Sequence, residues 1–202
     1  MPAQNLAESP LRQKLIDATE EMLLTTSYED LSVRAVCAAA DANVAAVRYH
    51  FGSKAALVAA VLQDRLGPLW TDRLRELMAD ADGADVATCV QAIVAPLRDL
   101  AADPVGQVRL HLLTRILFVP GPQPWTDEWF ALSPFVELVR RACPEIGGEE
   151  LARRWVLAFR LILLEFGNPI VRRSAPAEDE VDAMVRFVVA GLTAETSEAR
   201  AR

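Results

Sequence analysis

Arg34, Arg48 and Lys54 constrain the reading of this chain most, because Arg34 and Lys54 stand where a helix least favours a cation. The stretch from Ser32 to Lys54, SVRAVCAAADANVAAVRYHFGSK, reads as two short helices joined by a tight turn, followed at once by the start of a third. Ser32, Asn43 and Ser53 each carry a side chain able to cap a helix N-terminus. Arg34 and Lys54 therefore fall in first turns, where the macrodipole favours anions. A bound phosphate resolves both conflicts, since free N–H groups beside a cation make an anion site. Two helices, a turn and phosphate-facing cations describe a helix-turn-helix reader of double-stranded DNA. In that arrangement Arg34, Tyr49 and Lys54 are expected to hold phosphates, while Ala45, Ala46 and Arg48 face base edges. The alanines offer only apolar contacts, for instance to thymine methyls, which leaves Arg48 as the hydrogen-bonding reader. Asn43 and His50 complete the surface of the reading helix.

Such side chains need a scaffold. The reading helix, Val44 to about His50, is too short to be stable alone, so Val47 and Phe51 must anchor it. Val33, Val36 and Cys37 give the preceding helix an apolar side, and Gly52 can end the reading helix in a left-handed conformation. Ser9-Pro10 is a start signal for a first helix, along which Leu11, Leu15, Ala18 and Met22 recur at helical spacing to about Thr25 or Thr26.

The turn, the short second helix and the ending Tyr49, His50, Phe51, Ser53, Lys54 resemble the DNA-binding domain of the TetR/AcrR family of one-component bacterial regulators. Three positions depart from that pattern. Asp41 replaces the usual turn glycine, Asn43 the usual Ser or Thr cap, and Arg48 stands where many members carry tyrosine. Asp tolerates a left-handed turn better than most residues, and Asn is a sound cap. The resemblance implies a homodimer on a palindromic operator, dimerisation through the last two long helices, and an effector pocket between a kinked helix and its neighbours.

Composition limits the alternatives. The 202 residues are 52% apolar, and strand-like alternation is absent, so an all-α fold is expected. We divide it into a helix-turn-helix domain over residues 1–55 and a larger effector-binding and dimerisation domain over residues 56–202. The first ten residues contain Glu8 and lack an apolar run, and the apolar segment Trp155 to Gly167 is interrupted by Arg160 and Glu165, which points to a cytoplasmic protein without a membrane partner. Cys37, Cys89 and Cys143 form no paired spacing and read as packing residues. The formal net charge of −7 argues against diffuse nucleic-acid binding. Even residues 1–55 carry five bases against seven acids, so a DNA reader requires the bases to cluster on one face. With two histidines, no Gly-rich phosphate loop, no zinc spacing and no nucleophile elbow, neither an enzyme nor a cofactor is indicated.

Beyond the head, a helix from Ser53 reaches Gly67-Pro68 and resumes through Trp70, Leu74 and Met78, either kinked there or broken in two. If kinked, it is a lever between the head and the rest. Residues 84–101 and Asp103-Pro104 to Phe118 form two further helices, Trp125 to Leu132 and Ser133 to about Ala142 a broken one, and Pro120 to Pro124 a loop. Large apolar groups exceed what one core needs, so Trp70, Leu74, Met78, Phe118, Trp129, Phe130 and Phe159 are expected to line a hydrophobic effector pocket. Arg115 is a candidate polar contact there, and His111 belongs either to the pocket wall or to the core. Glu149 to Gly167 and Ala177 to Thr193 are apolar around most of their girth, which a second copy of the same pair would cover. Leu151, Trp155, Ile162, Phe166, Met184 and Val188 are the expected interface residues. The rival reading is a helical small-molecule carrier or sensor that does not bind DNA.

Overall fold

The computed structural model describes residues 9–79, 84–118, 124–167 and 175–195. Every regular element among them is helical. Helix α1 (Pro10–Leu23), α2 (Val33–Ala39) and α3 (Val44–His50) form the head. Helices α4 (Lys54–Ala79), α5 (Val86–Ala101), α6 (Pro104–Phe118), α7 (Ser133–Ala142), α8 (Gly148–Gly167) and α9 (Glu178–Thr193) form the body. The expected caps are made. Ser32 Oγ accepts from Ala35 N at 3.4 Å, Asn43 Oδ1 from Ala46 N at 3.0 Å, and Ser53 Oγ from Ala56 N at 3.1 Å. Asp103 Oδ2 likewise accepts from Gly106 N at 2.8 Å, whereas Ser9 leads into Pro10 without a side-chain bond.

One open alternative is settled and one expected feature comes out differently. Helix α4 runs unbroken for 26 residues with Pro68 inside it, because Leu66, Trp70 and Leu74 are buried on both sides of the proline and hold the two halves to one core. The segment from Trp125 to Leu132 is helical only over Glu128–Phe130, a single 3-10 turn capped by Asp127. Its backbone is held instead by α4: Gln63 Oε1 accepts from Thr126 N at 2.6 Å and from Asp127 N at 2.7 Å. The loop expected at Pro120 to Pro124 lies outside the described residues except for its last proline.

The core is continuous from Leu15 and Val47 in the head to Leu192 in α9. Helix α6 is central to it, packed against α4, α5 and α8. It meets α8 at Gly167, where any Cβ would collide with Thr114 Oγ1 and the Leu110 carbonyl.

Charge ties the head to this body. Glu20 on α1 accepts from Arg65 Nε of α4 at 2.7 Å and from Arg109 Nη2 of α6 at 2.6 Å. Arg65 also holds Asp17 at 2.6 Å. Partial burial pushes the Glu20 carboxyl up, but the bonds from Arg65 and Arg109 outweigh it and hold it below the usual carboxylate range. A carboxylate with a depressed folded-state value stabilises the fold above its unfolded-state pKa, and that stability is lost as pH falls through the folded value. The melting temperature should therefore drop on acidification below about pH 4.3. Glu20→Gln should melt lower at neutral pH and show a shallower acid slope, measured by circular dichroism; identical slopes would remove Glu20 from the account.

Candidate nucleic-acid interface

The reading helix stands on Val47, which is 3% exposed, while Val44, Ala45, Arg48 and Tyr49 face outward. Its turn is made as the residue types suggest, with Asp41 at φ 51° and Gly52 at φ 79°. Tyr49 is 70% exposed, an extreme value for a large aromatic side chain. His50 is half-buried with its ring edge-on to Tyr49 at 5.1 Å, so it braces that tyrosine from behind. Asn43 is exposed but its side-chain oxygen is committed to the cap, and Ala46 is half-buried.

The charge balance of the head is decided by residues outside it. Asp17 and Glu20 are neutralised by Arg65 and Arg109, and Glu29 by Arg115 Nη2 at 2.5 Å. These three arginines come from α4 and α6. By contrast, the exposed side chains of Arg34 and Arg48 have no ion pair or hydrogen bond among the described residues. Three of the six described head acids are thus paired with cations from the body while Arg34 and Arg48 are free, which is the asymmetry a polyanion needs.

Lys54 departs from expectation. Rather than facing a phosphate, its Nζ donates to the carbonyls of Tyr28 at 2.8 Å, Glu29 at 3.2 Å and Leu31 at 3.2 Å. An ammonium has three donors, and all three are used. It also lies 4.8 Å from the centroid of the Tyr28 ring, over which Arg115 sits at 4.6 Å. Lys54 is therefore a clamp between the start of α4 and the loop ahead of α2.

Beneath the head lies a cavity of about 510 Å³ between α4, α5, α6, α8 and the 3-10 turn. Of the residues expected to line it, Trp70, Phe118, Trp129, Phe130 and Phe159 do so. Leu74 is fully buried in the core instead, and Met78 lies one turn further along α4, outside the lining. Arg115 points from α6 to Glu29 and Tyr28, and His111 is on the exposed side of α6. Both are corrections, and the helical period explains them: lining residues Leu113 and Leu117 alternate with the opposite face of the same helix. Trp125, one of the surplus large apolar groups, lines the cavity too, and Arg160 does so without having been expected to. Arg160 lay in plain view as a cation within an apolar helix.

The six expected dimer-interface residues are also corrected. Leu151, Trp155, Ile162, Phe166, Met184 and Val188 are all at most 8% exposed within one chain, because α8 and α9 turn their densest apolar sides onto α5, α6 and each other. Leu157 and Phe187, 64% and 70% exposed, mark the sides left open.

The fold and this surface define a helix-turn-helix DNA-binding head on a helical body. Residues 15–61 match the model of bacterial regulatory proteins of the tetR family, which makes the head a DNA-binding domain of the tetR type. Over 92% of its length the chain is similar in fold to NalD, the secondary repressor of the MexAB-OprM multidrug efflux pump in Pseudomonas aeruginosa. Native NalD is 16% identical with a TM-score of 0.56, over 92% of this chain and 98% of that one. A second NalD structure gives 16% and 0.55, over 92% and 97%. No curated protein matches the sequence. Among the described residues no helix is long and apolar enough to cross a membrane.

The clamp makes a direct prediction. Lys54→Met should destabilise the chain by about 1–3 kcal/mol in urea unfolding, since three carbonyls lose a charged donor. Arg34→Ala should leave stability within about 0.5 kcal/mol. Equal stability of the two variants would return Lys54 to the DNA surface.

Proposed function

We propose that the chain is a homodimeric transcriptional repressor that binds a palindromic operator and is released by a hydrophobic small molecule, with residues 1–55 as reader and 56–202 as effector and dimer domain. The observation that carries the DNA half is the pair of unpartnered arginines, Arg34 and Arg48, beside the outward face of α3. Repression is adopted from the mode stated for NalD, whose fold the chain shares. The cavity supports the effector half. Helix α6 turns Leu113, Leu117 and Phe118 to it and Arg109 and Arg115 to the head, so an occupant that shifts α6 also pulls on Glu20, Glu29 and Tyr28. A ligand shifts the equilibrium only by its differential affinity for the two states, and this helix gives it a means.

Fluorescence anisotropy against duplex from beside the chain's own gene, and against a random-sequence selection, tests the DNA half. Binding should weaken linearly in log salt, and Arg48→Ala should cost about 1–3 kcal/mol at one base position while sparing random DNA. Equal loss on both would make Arg48 a phosphate contact, and a salt-independent affinity would sink the phosphate model.

The exposed Leu157 and Phe187 of the packed pair α8 and α9 support dimerisation about a two-fold axis. Phe187 is flanked at helical spacing by Ala183, Ala190 and Gly191, all exposed, small enough for close approach of a second copy. Phe187→Glu should convert a dimer into a monomer in light scattering and abolish tight operator binding. A wild-type monomer would remove this interface.

A further inference from the structure

The cavity beneath the head is apolar and aromatic, but its polar groups are all of one kind. Among its described lining residues the side-chain donors outnumber the acceptors completely: Trp70, Trp125 and Trp129 bring indole N–H groups, Arg160 brings a guanidinium, and no carboxylate, amide or hydroxyl is present. The Trp70 Nε1 is already spent, donating to the Ile93 carbonyl at 3.0 Å. The Trp125 Nε1 has no accessible surface, so it does not face the open space of the cavity. Arg160 on α8 is exposed and has no ion pair or hydrogen bond among the described residues. The other arginines of α8 differ: Arg153 and Arg154 both bond Glu150.

The walls set the body of the occupant. Trp125 stacks on Phe130 with centroids 4.9 Å apart and 29° between planes, and Phe135 meets Phe159 edge to face at 4.9 Å. Aromatic walls of this kind pack well against another ring, and a volume of about 510 Å³ holds a molecule of several rings.

We propose that the cavity selects a flat, multi-ring aromatic anion, its acidic group paired with Arg160 at the opening. The inference rests on the reading of this cavity as the effector site, and it names the chemical class that site takes. A cation is excluded by Arg160 and by the absence of any acid in the described lining. A neutral hydrocarbon fits the walls but leaves Arg160 without a partner.

The full chain is titrated with anthracene-9-carboxylate, 9-anthracenemethanol and 9-anthrylmethylammonium, which share one body and differ in charge, with tryptophan quenching and thermal shift as readouts. The carboxylate should bind about tenfold more tightly than the alcohol, and the ammonium should bind most weakly, as expected when a charge-assisted bond replaces a neutral one. Arg160→Gln, at an exposed position, should remove most of the carboxylate's advantage and leave the alcohol unchanged. Equal binding of the three, preference for the ammonium, binding of none, or an unaltered carboxylate affinity in Arg160→Gln would each overturn the proposal. Operator anisotropy on the same samples separates the two readings. A chain that holds DNA but no anthracene remains a regulator with a different effector, whereas one that holds the carboxylate but no DNA keeps this site and loses the reader.

Discussion

The ion pairs that cross from head to body are the constraint on which the rest of the molecule depends. Glu20 takes a guanidinium from α4 and another from α6, and Glu29 takes a third. Removing Arg65 or Arg109 would strip the largely buried Glu20 carboxylate of one of its two partners, a larger cost than the exposed Glu29 pair returns. The same contacts settle two questions at once. They fix the head against the body, and they cancel acids that would otherwise repel a polyanion from a chain of net charge −7.

That arrangement gives α6 a double role. Leu113 and Leu117 border the cavity, while Arg109, one turn before Leu113, and Arg115, on the opposite side, reach two separate parts of the head. Tyr28 adds a third connection, since both Arg115 and Lys54 lie over its ring. The α4 helix contributes a parallel route. Gln63 holds the backbone of Thr126 and Asp127, so the aromatic segment walling the cavity is pinned to the same helix whose first residue clamps the loop ahead of α2. Any occupant that presses on Trp125, Trp129 or Leu117 acts on elements tied to the reading surface.

The departures from the family pattern have local explanations. Asp41 occupies the left-handed turn that a glycine usually takes, and its backbone adopts that conformation at φ 51°. Asn43 caps α3 with a 3.0 Å bond. Neither change alters the geometry of the reader. Arg48 does alter its chemistry, by placing a free guanidinium where an aromatic side chain is common.

What the sequence determined by itself was local: the caps at Ser32, Asn43 and Ser53, the left-handed residues Asp41 and Gly52, the helix α3 from Val44 to His50, and the outward set of Arg34, Arg48 and Tyr49. These follow from rules of a few residues' range, namely capping bonds, backbone sterics and helical period. Most aromatic wall positions of the cavity were legible for a similar reason, since large apolar groups in excess of a core must border something. Tertiary structure alone decided partners. Periodicity counts how many sides of a helix are apolar but does not say which neighbour takes which side, so Leu151 and Trp155 went to the core and Leu157 and Phe187 stayed open. A long cation's target is equally invisible in one dimension: Lys54 found the carbonyls of residues 28, 29 and 31, and Arg115 found Glu29, because only the folded chain brings groups so distant in sequence within hydrogen-bond reach.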